Sequence, residues 1–206
     1  MLAQSPFPTE WWAPVMREGA PSWEILPQDA KEGEVILSKR NELGVFSNLA
    51  ATAFIFEGEK YASIEGLWQM MKYPDLDDVK DPRLAWKDEY PFTRQQVKLM
   101  SGFEAKDAGD AASKINKEHK IDWVTYRTKK FNYKDGTRGS EYHYQIIFEA
   151  TFQKVKQNPE VKNLLLKTRN LKLMPDHLQP IYAPKSYGYF NILMDLRKIF
   201  QLEEQH

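Results

Sequence analysis

At 206 residues the chain is long enough for one large domain with a sizeable core. Its 29 basic and 29 acidic side chains balance, which excludes a global field for polyanions, and the lack of cysteine excludes disulfides, thiolate nucleophiles and zinc–thiolate sites. No apolar run is long enough to span a bilayer and the amino terminus lacks a basic-then-apolar signal pattern, so a soluble cytoplasmic protein is the expectation.

Residues 1–33 carry Pro6, Pro8, Pro14, Pro21 and Pro27 among Trp11, Trp12 and Trp23. Prolines at this density exclude a regular helix, and tryptophans argue against a disordered tail. The segment reads as an extended arm that packs one of its tryptophans on a main domain of residues 34–206; an aromatic arm that binds a partner is the alternative. Val35-Ile36-Leu37 reads as a short strand. Phe54-Ile55-Phe56, a turn around Gly58 and Tyr61 read as a hairpin. Ser63 stands where an N-cap is expected, ahead of Ile64, Leu67, Trp68 and Met71 at the spacing of a buried helical stripe. Thr93 and Gln96 form a capping-box pattern before Val97, Leu99 and Met100. A helix is expected over 105–116, weakened by Gly109. Residues 126–142 read as a long loop. Beyond it, Tyr144, Ile147, Phe148, Thr151, Phe152 and Val155 form an apolar stripe. Asn158 and Pro159 open a helix with Val161, Leu164 and Leu165. A last helix carries Ile192, Leu193, Leu196, Ile199 and Phe200. The sum is a mainly α domain with a small β element near its start.

Charge is distributed unevenly. Residues 114–138 hold eight basic side chains against three acidic ones, and residues 75–89 hold three against six. The basic region suits a phosphate-bearing ligand or a nucleic acid as partner, and equally a solvated loop. His119, His143, His177 and His206 are too far apart to form a metal-binding pair, and no phosphate loop, dinucleotide fingerprint or serine elbow is present. The polar line of Glu65, Gln69 and Lys72 is more informative. Spaced i, i+4 and i+7, it runs about a quarter-turn from the buried stripe. A carboxylate, an amide and an ammonium thus stack at the edge of a buried face, as a pocket requires and as a solvated helix exterior also allows.

Several pieces in fixed order resemble the NADAR family, also called YbiA-like. They are Phe46-Ser47-Asn48, the glycine hairpin from Phe54 to Tyr61, Ser63-Ile64-Glu65 running into Gln69-Met70-Met71-Lys72, Ala105-Lys106-Asp107-Ala108-Gly109, Asp122-Trp123, Leu165-Leu166-Lys167-Thr168, and Asn191 to Arg197. The resemblance spans most of residues 34–201. It departs from the family at Gly66-Leu67-Trp68, where a histidine and aromatics are usual, and at residues 129–140, which look inserted. It departs again at Arg169 and Pro175, where a glycine and a glutamate are usual, with Asp176 adjacent.

The resemblance implies a single helical YbiA-like domain that hydrolyses an N-glycosidic bond in a ribose-phosphate or ADP-ribosyl compound. Ribosylamine intermediates of riboflavin synthesis and ADP-ribosylated nucleobases are the implied substrates. No metal or cofactor is called for. Glu65 is the expected central carboxylate, because such cleavage passes through an oxocarbenium-like state that a nearby carboxylate stabilises. Lys72, Asp122 and Trp123 are the other expected catalytic-site residues, Lys72 as a phosphate ligand or a tuner of Glu65 and Trp123 as a stacking face. Ser47, Asn48, Gln69, Asn191, Lys39, Arg40, Tyr187 and Asp176 are the expected substrate-binding set. Asn48 and Asn191 would hold ribose hydroxyls, and Lys39 and Arg40 a phosphate. Two other classes stay open: a non-catalytic ADP-ribose or NAD-binding module, and a nucleic-acid-binding protein that uses residues 114–138.

Overall fold

The structure, a computed structural model, describes residues 6–134 and 136–204; residues 1–5 of the arm, Asp135, Gln205 and His206 lie outside them. In chain order the elements are β1 (Glu34–Ile36), β2 (Phe54–Phe56), β3 (Glu59–Tyr61), α1 (Ile64–Met70), α2 (Arg94–Val97), α3 (Gly102–Glu118), β4 (Val124–Tyr126), β5 (Lys129–Phe131), α4 (Arg138–Gln157), α5 (Pro159–Lys167), β6 (Lys172–Met174) and α6 (Tyr189–Glu203). Among the described residues every sheet has two strands, so the fold is mainly α, as expected. No helix of the described residues is long and apolar enough to cross a membrane.

The chain forms two compact units. The first combines Met1–Ser47, Asn158–Ala183 and Gly188–His206. Here β1 pairs in parallel with β6, Val35 opposite Leu173, and α5 and α6 pack beside them over Leu165, Ile192, Leu196 and Phe200. The described part of the arm belongs to this unit. Trp11 is fully buried and its indole N–H donates to Glu42 Oε1 at 2.7 Å. Trp12 donates to the carbonyl of Glu34 at 2.9 Å, whereas Trp23 stays exposed. The prolines do not leave the arm wholly extended: short 3-10 turns form at Thr9–Trp12 and Pro27–Asp29, which need only one or two hydrogen bonds each.

The second unit combines Asn48–Gln157 and Pro184–Tyr187. The β2–β3 hairpin has Phe54 opposite Tyr61. α1 starts where Ser63 caps it: the Ser63 hydroxyl accepts from the Gly66 N–H and donates to the Met100 carbonyl, both at 2.9 Å. Gly66, one of the departures from the family pattern, has a packing reason. A Cβ there would stand 2.6 Å from the Met100 carbonyl oxygen and 3.0 Å from that of Val97. The capping box of Thr93 and Gln96 opens α2 as expected.

Two expectations change. Residues 126–142 are not a loop: β4 and β5 form an antiparallel hairpin and α4 begins at Arg138. The hairpin is masked in the sequence for a local reason. Its turn residues Arg127 and Thr128 have φ of 46° and 63°, a conformation that Asn-Gly normally advertises, and of β5 only Phe131 faces inward. On α4 the period is right but the face is rotated by about one residue. Of the expected stripe Ile147, Thr151 and Val155 are buried; Ser140, His143, Ile146, Ala150 and Lys154 complete the buried face, and Tyr144, Phe148 and Phe152 stay half-buried at its edge.

Under the end of α1 lies a buried ionic network. Arg83 and Asp81 are paired and inaccessible to solvent, and both Arg83 and Arg94 donate to the Thr125 hydroxyl at 2.5 Å. Arg83 also donates to the Met71 carbonyl and Arg94 to that of Tyr73, so two guanidiniums satisfy the carbonyls on either side of Lys72.

Candidate active site

The line expected on α1 forms, and α3 supplies its other wall. Gln69 Nε2 donates to Glu65 Oε1 at 2.6 Å, and the Glu65 N–H donates to the Asn48 carbonyl at 2.9 Å. α1 ends at Met70, so Lys72 lies in the turn that follows, its N–H bonded to the Gln69 carbonyl. The Lys72 ammonium lies 3.4 Å from the Gly109 carbonyl and 5.2 Å from the Trp68 ring centroid. Gly109, which weakens α3 as a helix, is what lets α3 close on α1. A Cβ there would fall 1.7 Å from Gln69 Oε1. Tyr73 donates to the Ala108 carbonyl and Asn116 to the Lys72 carbonyl, locking the two helices in this register.

Burial dominates the electrostatics. It raises the Glu65 carboxyl above its ordinary range, opposed by the Gln69 hydrogen bond and by the charges of Lys72 and Lys106. It lowers Lys72 to about 8, opposed by the charges of Asp110 and Glu65. Both groups therefore titrate closer to neutrality than in water, the usual condition of groups that exchange protons.

Aromatic rings wall the site. Trp68 meets Tyr133 edge-on at 4.8 Å, His143 at 4.2 Å and Tyr187 at 6.4 Å between centroids. His143 is buried, shares a 2.9 Å hydrogen bond with the Ser186 hydroxyl through Nδ1, and leaves Nε2 without a partner. Burial and the Lys72 charge hold its pKa down to about 3, so it is a neutral imidazole. Burial raises the Tyr187 hydroxyl, helped by the charges of Tyr133 and Glu65.

The structure thus brings Glu65, Gln69, Lys72, Asn48 and Tyr187 together in the second unit. Asp122 and Trp123 belong to that unit too, but their described contacts run elsewhere. Asp122 is exposed and accepts from Asn132 at 3.4 Å. The largely buried Trp123 ring has the Arg83 guanidinium at 4.6 Å and the Lys130 ammonium at 4.0 Å. The remaining expected residues lie in the first unit. Ser47 is buried there and Asn191 is exposed on the first turn of α6. Lys39 pairs with Asp176, and Arg40 makes a two-toothed pair with Glu24 at 2.7 and 2.8 Å. Asp176 is buried, and it also accepts from His177 Nδ1 at 2.9 Å and from the Tyr189 hydroxyl at 3.4 Å. Burial works to raise its pKa, but these bonds and the Lys39 charge outweigh it and hold the carboxylate ionised.

Sequence reasoning left Trp68, His143, Tyr133, Lys106 and Asp110 unassigned to the site. Lys106, Gly109, Asp110 and Ser113 do carry a signal, a stripe at i, i+3, i+4 and i+7 on α3. Only packing reveals that Gly109 meets Gln69 and that the charges of Lys106 and Asp110 reach Glu65.

The architecture is that of a mainly helical, YbiA-like domain. The E. coli protein YbiA, solved by NMR, is similar to this chain with a TM-score of 0.51 and 18% identity, over 83% of this chain and 88% of that one. No family model matches the chain, and no curated protein matches its sequence. Likeness at that identity speaks for the fold, so the chemistry must be argued from the site.

Proposed function

We propose that this protein is a hydrolase that cleaves the N-glycosidic bond of a ribose-phosphate or ADP-ribosyl compound, with Glu65 as its central carboxylate. The observation that carries this reading is Glu65 itself. It is a half-buried carboxylate of raised pKa, oriented by one amide hydrogen bond, beside a buried ammonium and a wall of aromatic rings. In the reaction the bond from C1′ to nitrogen breaks with its electron pair going to nitrogen. Cationic charge builds on the sugar, and Glu65 faces it in a poorly solvated setting where a fixed charge acts most strongly. Water then bonds to C1′. Glu65, with its elevated pKa, takes one water proton and passes a proton to the departing nitrogen, so one hydrogen of the water stays on the new C1′ hydroxyl, the other ends on nitrogen, and the carboxylate is regenerated. Tyr187, half-buried beside Trp68, offers a flat apolar face for a sugar or a heterocycle.

The test is turnover against a panel: NAD, ADP-ribose, ribosylamine phosphates and ADP-ribosylated guanine in DNA, with enzyme far below substrate. Product from at least one, lowered by orders of magnitude in Glu65→Gln, is the expected result. Tight binding of ADP-ribose or NAD without any product would make the protein a reader instead of a hydrolase. Affinity for DNA or RNA that falls steeply with salt and disappears in Lys129→Glu/Lys130→Glu/Arg138→Glu would favour the nucleic-acid reading.

A further inference from the structure

Gly109 is pressed against Gln69 and its carbonyl accepts from Lys72, which fixes the face of α3 turned toward the Glu65 line. On that face, one turn before Gly109 and one residue after it, stand Lys106 and Asp110. They form an i, i+4 ion pair of 2.6 Å with both side chains about half-exposed. Three charges meet at Glu65: Lys106 and Lys72 lower its carboxyl, and Asp110 opposes them. Asp110 also does more than Glu65 to keep Lys72 charged. The site therefore has an inner cation, Lys72, buried and held against backbone, and an outer cation, Lys106, half-exposed and paired with Asp110.

We propose that Lys106 is a specificity-determining residue that takes a phosphate group of the substrate, and that Asp110 holds its ammonium in place until that phosphate replaces it. An exposed i, i+4 pair is weak, so a phosphate with its greater charge displaces Asp110 at little cost. Lys106 then binds the phosphate as a point charge through a charge-assisted hydrogen bond. A rim phosphate and an inner carboxylate suit a ligand whose anionic group is joined to a ribose, its C1′ reaching inward to Glu65. This inference rests on the reading of Glu65 as the ribose-facing carboxylate.

Calorimetric titration with ribose, ribose 5-phosphate and inorganic phosphate separates the parts. Wild-type protein is expected to bind ribose 5-phosphate better than either fragment. Lys106→Met keeps the stem and removes the charge. It should weaken ribose 5-phosphate by about 10-fold, the worth of roughly 1.4 kcal/mol, while leaving ribose unchanged. Asp110→Asn, which frees Lys106, should tighten ribose 5-phosphate several-fold. Equal affinity of wild type and Lys106→Met for ribose 5-phosphate overturns the proposal, and so does ribose 5-phosphate binding no better than inorganic phosphate. Melting temperatures of both variants should match wild type, since neither side chain is buried. Binding that follows this pattern with no turnover on the panel would leave Lys106 in place and reject the hydrolase reading alone. Turnover without the pattern would do the reverse.

Discussion

Gly109→Ala tests how α3 and α1 jointly hold the carboxylate. A new Cβ would stand 1.7 Å from Gln69 Oε1, 2.1 Å from its Cδ and 2.8 Å from its Cγ, so the Gln69 amide must swing away. Leaving takes it from Glu65, to which it donates at 2.6 Å. A hydrogen bond to a charged acceptor is worth about 1.5–3 kcal/mol. Exchanging Gly for Ala inside a helix returns about 1 kcal/mol. The difference is a net loss of about 0.5–2 kcal/mol, or a fall in Tm of roughly 1–8 °C for a chain of this size. The Gln69 bond also lowers the Glu65 pKa, so its loss moves the acid limb of a kcat/KM profile to higher pH. Thermal melts and pH-rate profiles of Gly109→Ala, Gln69→Ala and the double variant form the assay. The steric argument requires strong coupling: with Gln69 already truncated, the added methyl should be harmless or stabilising. A single Gly109→Ala variant that melts higher than wild type, with an unmoved acid limb, would refute it.

Glu65→Gln should also change stability in a pH-dependent way. The folded pKa of Glu65 lies above the unfolded value of 4.5, so the native state holds the proton longer and its stability falls as pH rises from there through the folded pKa. The variant should therefore melt higher than wild type at pH 7 and equal to it at pH 4; the opposite order would show that Glu65 is stabilised as an anion. Lys72 has a folded pKa near 8 against 10.5 unfolded, so its charge costs stability below pH 8 and that cost fades as pH rises to 10.5. Turnover that depends on the ammonium should decline with an apparent pKa near 8, and Lys72→Met should abolish that limb. In the arm, Trp11→Ala removes a fully buried ring and the bond to Glu42, for an expected loss of about 3–5 kcal/mol. Trp23→Ala should cost almost nothing, because that ring is exposed. Equal melting temperatures for the two variants would show that the arm does not stabilise the first unit.

Much of the secondary structure is local chemistry and was legible residue by residue. Ser63 capping Gly66, the box of Thr93 and Gln96, Pro159 at a first turn and the 3.6 period of α1, α4 and α6 depend on neighbours a few positions apart. The line of Glu65, Gln69 and Lys72 was legible for the same reason, since one helix and its closing turn set their spacing. The hairpin of β4 and β5 was hidden, because its turn takes positive φ at Arg127 and Thr128 without the residues that usually announce it. The rest was decided by contacts between segments distant in sequence. Asp176 reads as a free candidate ligand until Lys39, 137 residues away, is seen to occupy its carboxylate. Trp123 reads as an open stacking face until Arg83 and Lys130 are found over its ring. Gly109 reads as a helix defect until Gln69 fills the space its missing side chain leaves. Periodicity says which residues share a face of one helix, but it carries no information about which face of another helix will meet it. Burial, which moves the Glu65 and Lys72 pKa values, exists only once that meeting has occurred.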